Sequence, residues 1–284
     1  MEIVCLTRFN LEIPSFCEDG ERLCLNEEYL NSRFDIFEKY TLPSMMAQTE
    51  DIFSWIIMFH KDTPLKFRKK IDSYVASCPQ IIPWYLSAEE GIGYVAITSD
   101  YLKETYPNQK VITIRLDNDD VLNRDFLKRT KEFFLYNDVV KVYSTENGLQ
   151  YDTEHHRVLR YRYPCNHFLS MYERTDAKDN NILCFDHSLI RDYFSQEQLR
   201  IEDNHIPMWV EIISGTNVVN AMYWSFSGLK LPTDLADSFP MLSFPWKRKA
   251  GKTVYVLSLV PRVLFSKIAT IIKKIQRKLF SKKV

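Results

Sequence analysis

The tightest constraint on this chain is the run Val111-Ile112-Thr113-Ile114-Arg115-Leu116-Asp117-Asn118-Asp119-Asp120. Val111–Ile114 is an apolar, largely β-branched stretch of the kind that forms a buried strand. It runs straight into three carboxylates within four positions. In an open α/β sheet, ligands bind beyond the carboxyl ends of the strands, where these acids would emerge. Like charges this close repel one another and need a cation or protons between them. Hard oxygen ligands suit Mg²⁺ or Mn²⁺, ions that keep several waters and also bind phosphates. The spacing therefore points to a divalent ion holding a nucleotide diphosphate. The competing reading is a polar turn in which Asp119 or Asp120 caps a helix expected over Leu122–Phe134, but a cap uses one acid and not three. An EF-hand is excluded, since its Gly and closing Glu are missing at their offsets.

The segments upstream alternate in type. Ile3–Leu6 predicts a first strand, ending in Thr7-Arg8-Phe9-Asn10. Glu12–Glu28, with Pro14 and Gly20, predicts a long loop. Leu30, Phe34, Phe37 and Tyr40 recur at helical spacing within Tyr29–Gln48, which Pro43 should bend or divide. Phe53–Phe59 predicts a second strand, covered on both faces. Thr63 as N-cap and Pro64 at the first position open a helix to about Ala76. Ile81–Leu86 predicts a third strand near an edge, because of Pro83. Ser99–Tyr106 predicts a helix, and Lys110–Leu116 the strand that carries the acids. This order signals a doubly wound α/β sheet with the acids on about its fourth strand. Downstream, Val139–Tyr143 and Val158–Tyr163 predict an antiparallel pair with Asn147-Gly148 as a turn between them. Cys184–His187 would end another short strand, and Trp209 would lie in a helix.

Seven glycines, with neither GxGxxG nor GxxxxGK[ST], exclude the dinucleotide and P-loop signatures. Six scattered cysteines without a CxxC pair predict reduced, mostly buried thiols of a cytosolic protein. The first residues lack the pattern of a signal peptide, and no run reaches the ~18 uninterrupted apolar residues of a spanning helix. The zero net charge conceals a split: from Phe239 onward there are 12 Lys or Arg and no acid, leaving 25 basic and 37 acidic side chains before it. Leu264, Ile268, Ile271, Ile272, Ile275 and Leu279 make one helical stripe, flanked or opposed by Lys267, Lys273, Lys274, Arg277, Lys278, Lys282 and Lys283. That pattern predicts a helix in the interface of an anionic membrane. Nucleic acid is excluded as a partner, because the acidic body would be repelled by phosphate. The expected organisation is a catalytic domain over 1–231, a linker over 232–252 and a basic amphipathic tail over 253–284.

A set of local motifs resembles the rhamnosyltransferase family of bacterial glycosyltransferases. The set comprises Thr7-Arg8-Phe9-Asn10, Tyr29–Glu38, Thr41-Leu42-Pro43-Ser44, Gln48, Phe53-Ser54-Trp55, Thr63-Pro64, Arg115–Asp120, Asn166–Glu173 and Trp209–Asn217. It covers about residues 1–225. The resemblance implies a GT-A-like fold, in which a mixed sheet carries a smaller antiparallel acceptor-side region. It also implies a Mn²⁺- or Mg²⁺-dependent, inverting transfer of a sugar from a nucleotide-diphosphate donor. The acceptor would be a surface polysaccharide or lipid-linked glycan at the inner face of the plasma membrane. Asp117, Asp119 and Asp120 would be the metal residues, with Asp119 the direct ligand. Thr7, Arg8, Arg115 and Asp117 would line the donor pocket. The chain departs from the family at Ser214, where a histidine is expected ahead of Gly-x-Asn, and at His167, where proline is more usual.

Such a transfer needs a base to take the acceptor hydroxyl proton. The candidates are Asp203, then Glu173, with Glu202 and Asp186 behind them. The rival functions are a nucleotidyltransferase, or a glycan- or lipid-binding module with a degenerate site.

Overall fold

In the computed structural model, residues 1–13, 17–18, 21–214, 221–232, 235–244 and 249–280 are described. The chain opens with strand β1 (Glu2–Arg8), followed by the short pair β2 (Cys17–Glu18) and β3 (Glu21–Arg22). Helix α1 (Glu27–Ile36) is capped by the Asn26 side chain, which accepts from the Tyr29 amide. The helix continues through a π turn over Phe37–Thr41 into α2 (Leu42–Met46). Pro43 sits in the first turn of α2, directly after the π turn, so the helix changes its winding there and does not break. Then come β4 (Ser54–His60), α3 (Leu65–Ser77), β5 (Ile81–Leu86), α4 (Ala88–Ile92), α5 (Tyr94–Thr105) and β6 (Lys110–Arg115).

These strands build the predicted α/β, doubly wound sheet. Its seven strands run in the order β12-β8-β11-β6-β1-β4-β5, with β1, β4, β5 and β6 parallel. The proline-bearing β5 is an edge, as expected. Alternate side chains feed two cores. Ile3, Cys5, Trp55, Ile57, Ile112 and Ile114 pack with α1, α3 and α6 (Phe126–Tyr136). Val4, Leu6, Ile56, Met58 and Val111 pack on the other face with α5. Cys5, Cys24, Cys78, Cys165 and Cys184 are free thiols.

The second half corrects several expectations. After the acids the chain forms β7 (Asp120–Leu122), and helix α6 starts only at Phe126. Strand β8 (Val142–Thr145) joins the large sheet beside β11 (Ser170–Arg174) and β12 (Leu199–Glu202). The antiparallel partner of β10 (Arg157–Arg162) is instead β9 (Asn147–Asp152). Asn147-Gly148 is therefore strand, and the reversal falls at Thr153–His156, where His156 takes φ 50°. Residues around Cys184 and His187 form 3-10 turns, with α7 (Ile190–Tyr193) after them. Trp209 opens β13 (Trp209–Ile213), not a helix. A smaller sheet runs β10-β9-β13-β7. Helix α3 starts one residue later than expected, with Pro64 at the cap and Thr63 donating to the His60 carbonyl at 2.6 Å.

The small sheet has its own core of Val121, Leu149, Tyr151, Val158, Val210 and Ile212. Leu235 of α8 (Leu235–Ser238), Phe239 and Leu242 complete it, so much of the stretch expected as a linker is packed. Helix α9 (Lys249–Phe280) is anchored there by Tyr255, whose hydroxyl accepts from the Val158 amide at 2.6 Å. Leu259 and Val263 are buried, whereas Leu264, Phe265, Ile268, Ile271 and Ile272 face solvent. Within Gly251–Lys274 an 18-residue stretch of this helix has a mean hydropathy of 1.6 and only 11% of it is buried. It is long and apolar enough to cross a membrane, a property that a count of uninterrupted apolar residues missed because Lys252, Arg262 and Lys267 interrupt the run.

Trp209 is the pivot between the two sheets. It is fully buried, stacks on Phe168 with centroids 4.8 Å apart, and donates to the Thr145 carbonyl at 2.8 Å. Its ring occupies the space a side chain would need at position 148: a Cβ there would lie 2.2 Å from two indole carbons. Gly148→Ala is therefore expected to destabilise the protein by about 1–3 kcal/mol or more. Gly93→Ala, where the nearest atom is 3.7 Å away, should be close to neutral. Denaturant unfolding of the two variants checks the difference.

Candidate functional site

Strand order reverses beside β1: β4 lies on one side of it and β6 on the other. Crevices at such reversals, beyond the carboxyl ends of the strands, are where open α/β sheets bind ligands. Arg8 ends β1 and Arg115 ends β6, so the three acids stand at this point.

Each acid finds a different partner. Arg115 holds Asp117 with two bonds, Nε to Oδ1 at 3.2 Å and Nη2 to Oδ2 at 3.0 Å. Arg8 approaches the same carboxylate at 3.6 Å. Burial alone would raise the Asp117 pKa, but Arg115, then Arg8 and His167, hold it far below the usual carboxylate range. Asp119 turns the other way and pairs with the buried Arg33 of α1 at 2.9 Å. Arg33 also donates to the Asn118 side chain. Asn118 donates in turn to the Phe9 carbonyl at 2.8 Å, and Thr41 donates to the Asn118 carbonyl at 3.0 Å. The turn is thus clamped by β1, α1 and the π turn together.

Asp120 is 2% exposed and meets His167 Nε2 at 2.7 Å through Oδ2. Its Oδ1 is buried without a hydrogen-bond partner among the described residues. Burial raises the Asp120 pKa to about 7; Asp119 and Asp117 push the same way, while His167 opposes them. Burial disfavours charge on His167, yet Asp120 outweighs it and lifts the imidazole to about 9. One ligand atom each from Asp117, Asp120 and His167 lie within 4.8 Å of one another. Among the described residues this is the one group of three or more such side chains with that spacing. An orphaned buried oxygen within a carboxylate–imidazole set suits a divalent ion of the Mn²⁺ or Mg²⁺ type.

The remaining candidates fall in three places. Thr7 is fully buried, and its hydroxyl accepts from Trp55 Nε1 at 2.9 Å, so it faces the core. Glu173 pairs in register with Val111 at the start of β6 and is bound by Lys141. That is the end of the strand away from the acids, about 13 Å along it from Arg115. Glu202 and Asp203 stand on the same rim as the acids, because β12, β8 and β6 point the same way. Three strand spacings, about 14 Å, separate them from β6. Glu202 accepts from the Tyr143 hydroxyl, and exposed Asp203 accepts from Asn147 Nδ2 at 2.8 Å. Ser214 is described; Gly215–Asn217, which follow it in the motif, lie outside the described residues.

Three residues to which the sequence assigned no role at the site stand beside the acids. His167 was visible only as a departure from the family pattern. Arg33 had the appearance of an ordinary helix residue. Glu211 of β13 sits opposite Asp120 in register, is 4% exposed and accepts from Gln150 Nε2 at 2.9 Å. Burial raises its pKa, with His167 and Asp119 among the charges that act on it.

The family profile described as "Putative rhamnosyl transferase" matches residues 2–224. No curated protein matches the chain. Among solved structures, Staphylococcus aureus TarS 1-349 is similar at 12% identity and TM-score 0.44, over 75% of this chain and 60% of that one. The same protein in complex with UDP matches at 13% identity and TM-score 0.41, over 75% and 61%. The inositol-1-phosphate CTP transferase from T. maritima matches at 13% identity and TM-score 0.34, over 75% and 89%. The chain thus spans about three fifths of TarS 1-349.

Removing Arg33 would leave Asp119 in a largely buried position without its guanidinium. Arg33→Ala should cost about 3–5 kcal/mol. Arg33→Lys should recover part of it, since one ammonium does not replace a planar fork that reaches both Asp119 and Asn118. Urea unfolding of both variants measures the loss.

Proposed function

The chain belongs to this rhamnosyl transferase family, and on that premise we propose that it is a metal-dependent, inverting glycosyltransferase that uses a nucleotide-diphosphate sugar. The observation that carries the reading is the Asp117, Asp120 and His167 cluster at the strand-order reversal, with the buried Asp120 Oδ1 unpaired. Mn²⁺ or Mg²⁺ held by these three residues would supply neutralising charge to the diphosphate leaving group. Asp119, the expected direct ligand, would support the site through its clamp on the turn.

Arg8 and Arg115 present cations on the β1 side of the cluster, where the nucleotide half of the donor would lie. Arg8 also touches Tyr94 of α5, at 3.4 Å between Nη1 and the phenol oxygen. Asp203, on the same rim and open to solvent, is the preferred base for the acceptor hydroxyl, with Glu202 beside it. Glu173 is remote from the acids and already committed to Lys141.

The test is thermal stabilisation by UDP, dTDP, GDP and CDP, with and without Mn²⁺. One diphosphate should raise the midpoint in a Mn²⁺-dependent way, and Asp120→Asn should abolish the rise. Mn²⁺ must displace the proton shared by Asp120 and His167, so its apparent affinity should climb from about pH 6 towards pH 9. Asp203→Asn should keep diphosphate binding while transfer to acceptor falls by 10²-fold or more, on the order expected for a lost general base. No Mn²⁺-dependent diphosphate binding in the wild type, or full activity in Asp120→Asn, refutes the reading.

The same reading places the acceptor at a membrane. Leu257, Leu264, Phe265, Ile268, Ile271 and Ile272 of α9 are exposed, Phe265 at 74%. Arg262 stands over Trp224 at 5.9 Å and Lys267 over Phe226 at 4.6 Å, an aromatic and cationic border to that apolar face. Each cation near an anionic surface contributes about 1 kcal/mol, and the tail has no acid to offset them. The helix would lie peripherally on the inner face of the plasma membrane and bring the site to a lipid-linked or surface glycan. Phe265→Asp with Ile268→Asp should abolish co-sedimentation with phosphatidylserine vesicles without changing the unfolding midpoint. The wild type should bind pure phosphatidylcholine vesicles much less.

A further inference from the structure

A donor whose diphosphate sits on the cluster must place its sugar on one side of it. The β1 side holds Arg8, Arg115 and Tyr94, and the opposite side opens on the small sheet. There Glu211 and Asp120 are opposite one another in register, so both point to the same face. Directly opposed residues of this kind have Cβ atoms about 4.5–5.5 Å apart. Glu211 is fixed by Gln150, whose own Oε1 accepts from the Tyr223 amide at 2.6 Å.

A row of rings continues from there. Tyr161 lies 6.0 Å from Trp209, 5.8 Å from Tyr223 and 5.7 Å from Tyr163, centroid to centroid. Tyr163 is 6.4 Å from His187, which is 5.9 Å from His167. The rings thus run from the small sheet back to the cluster, with Glu211 among them. Rings offer faces to the C–H surface of a pyranose, and carboxylates accept from its hydroxyls.

Resting on the nucleotide-sugar reading above, we propose that Glu211 with Tyr161, Tyr163 and Tyr223 forms the donor-sugar subsite, and that it selects a neutral pyranose over an acidic one. The neutral sugar donates hydroxyl protons to the Glu211 carboxylate. A uronic acid would bring a second carboxylate against the buried Glu211, and the two like charges repel. Gln150 acts through Glu211 as a positioning residue.

The test compares full-length wild type, Glu211→Gln and Tyr223→Ala in Mn²⁺, using UDP, UDP-glucose and UDP-glucuronate, or the dTDP counterparts if dTDP is the diphosphate bound. The wild type should bind the glucose form more tightly than the diphosphate, and the glucuronate form no more tightly. Glu211→Gln should keep its diphosphate affinity, lose about tenfold for the glucose form, and bring the two sugar forms closer together. Tyr223 is 61% exposed, so Tyr223→Ala should fold, bind the diphosphate normally and lose affinity for the glucose form. Unchanged sugar affinity and unchanged discrimination in Glu211→Gln overturn the proposal. If that variant does not fold, unchanged glucose-form affinity in Tyr223→Ala overturns it. Failure of the wild type to bind any diphosphate removes the transferase reading, and the subsite with it, and is recognised by the absence of the diphosphate shift itself.

Discussion

Three carboxylates within four residues repel one another, and the structure depends on how that repulsion is resolved. Asp117 takes Arg115 from its own strand and Arg8 from the neighbouring one. Asp119 takes Arg33 from α1, and Asp120 takes His167 from the loop before β11. No single element supplies all the partners. The turn therefore reaches its charge balance only when β1, β6, α1 and that loop are already docked, which couples the site to the folding of the large sheet. Exchange of partners would leave a buried charge exposed to its neighbours at a cost of several kcal/mol. The two acids that keep ligand capacity, Asp117 and Asp120, are separated from the one that is spent on the clamp.

The small sheet gives the site its second wall. It is held to the large one through Trp209, which needs the bare backbone of Gly148 to lie flat between them. Because β13 runs beside β7, every second residue of β13 faces the cluster side, and this brings Glu211 next to Asp120. The same sheet receives α9 on its opposite face through Tyr255. One sheet thereby carries Glu211 on the face beside Asp120 and the docked start of α9 on the other, and fixes the orientation of each relative to the other.

Much of the fold was legible in the sequence. Apolar strands separated by amphipathic helices gave the parallel half, and Pro83 marked the edge strand correctly, because a missing N–H is tolerated only where no neighbour needs it. The stretch after Asp120 was harder. Asn147-Gly148 has the composition of a turn, yet the glycine serves a buried indole from a strand 61 residues later. A short strand such as Asp120–Leu122 has no periodicity of its own and exists because β13 pairs with it.

The sequence by itself determined the class of sheet, the strand that carries the acids, and the charge and apolar pattern of the tail, since these follow from local spacing and composition. Only the tertiary structure decided which acids converge on His167 and which one is held by Arg33. That choice depends on where Arg33, His167 and Glu211 arrive from: Arg33 lies 86 residues from Asp119, and His167 and Glu211 lie 47 and 91 residues from Asp120, separations no local pattern records. Long-range docking sets the sign and distance of every charge around a buried carboxylate, and these decide what that carboxylate can hold.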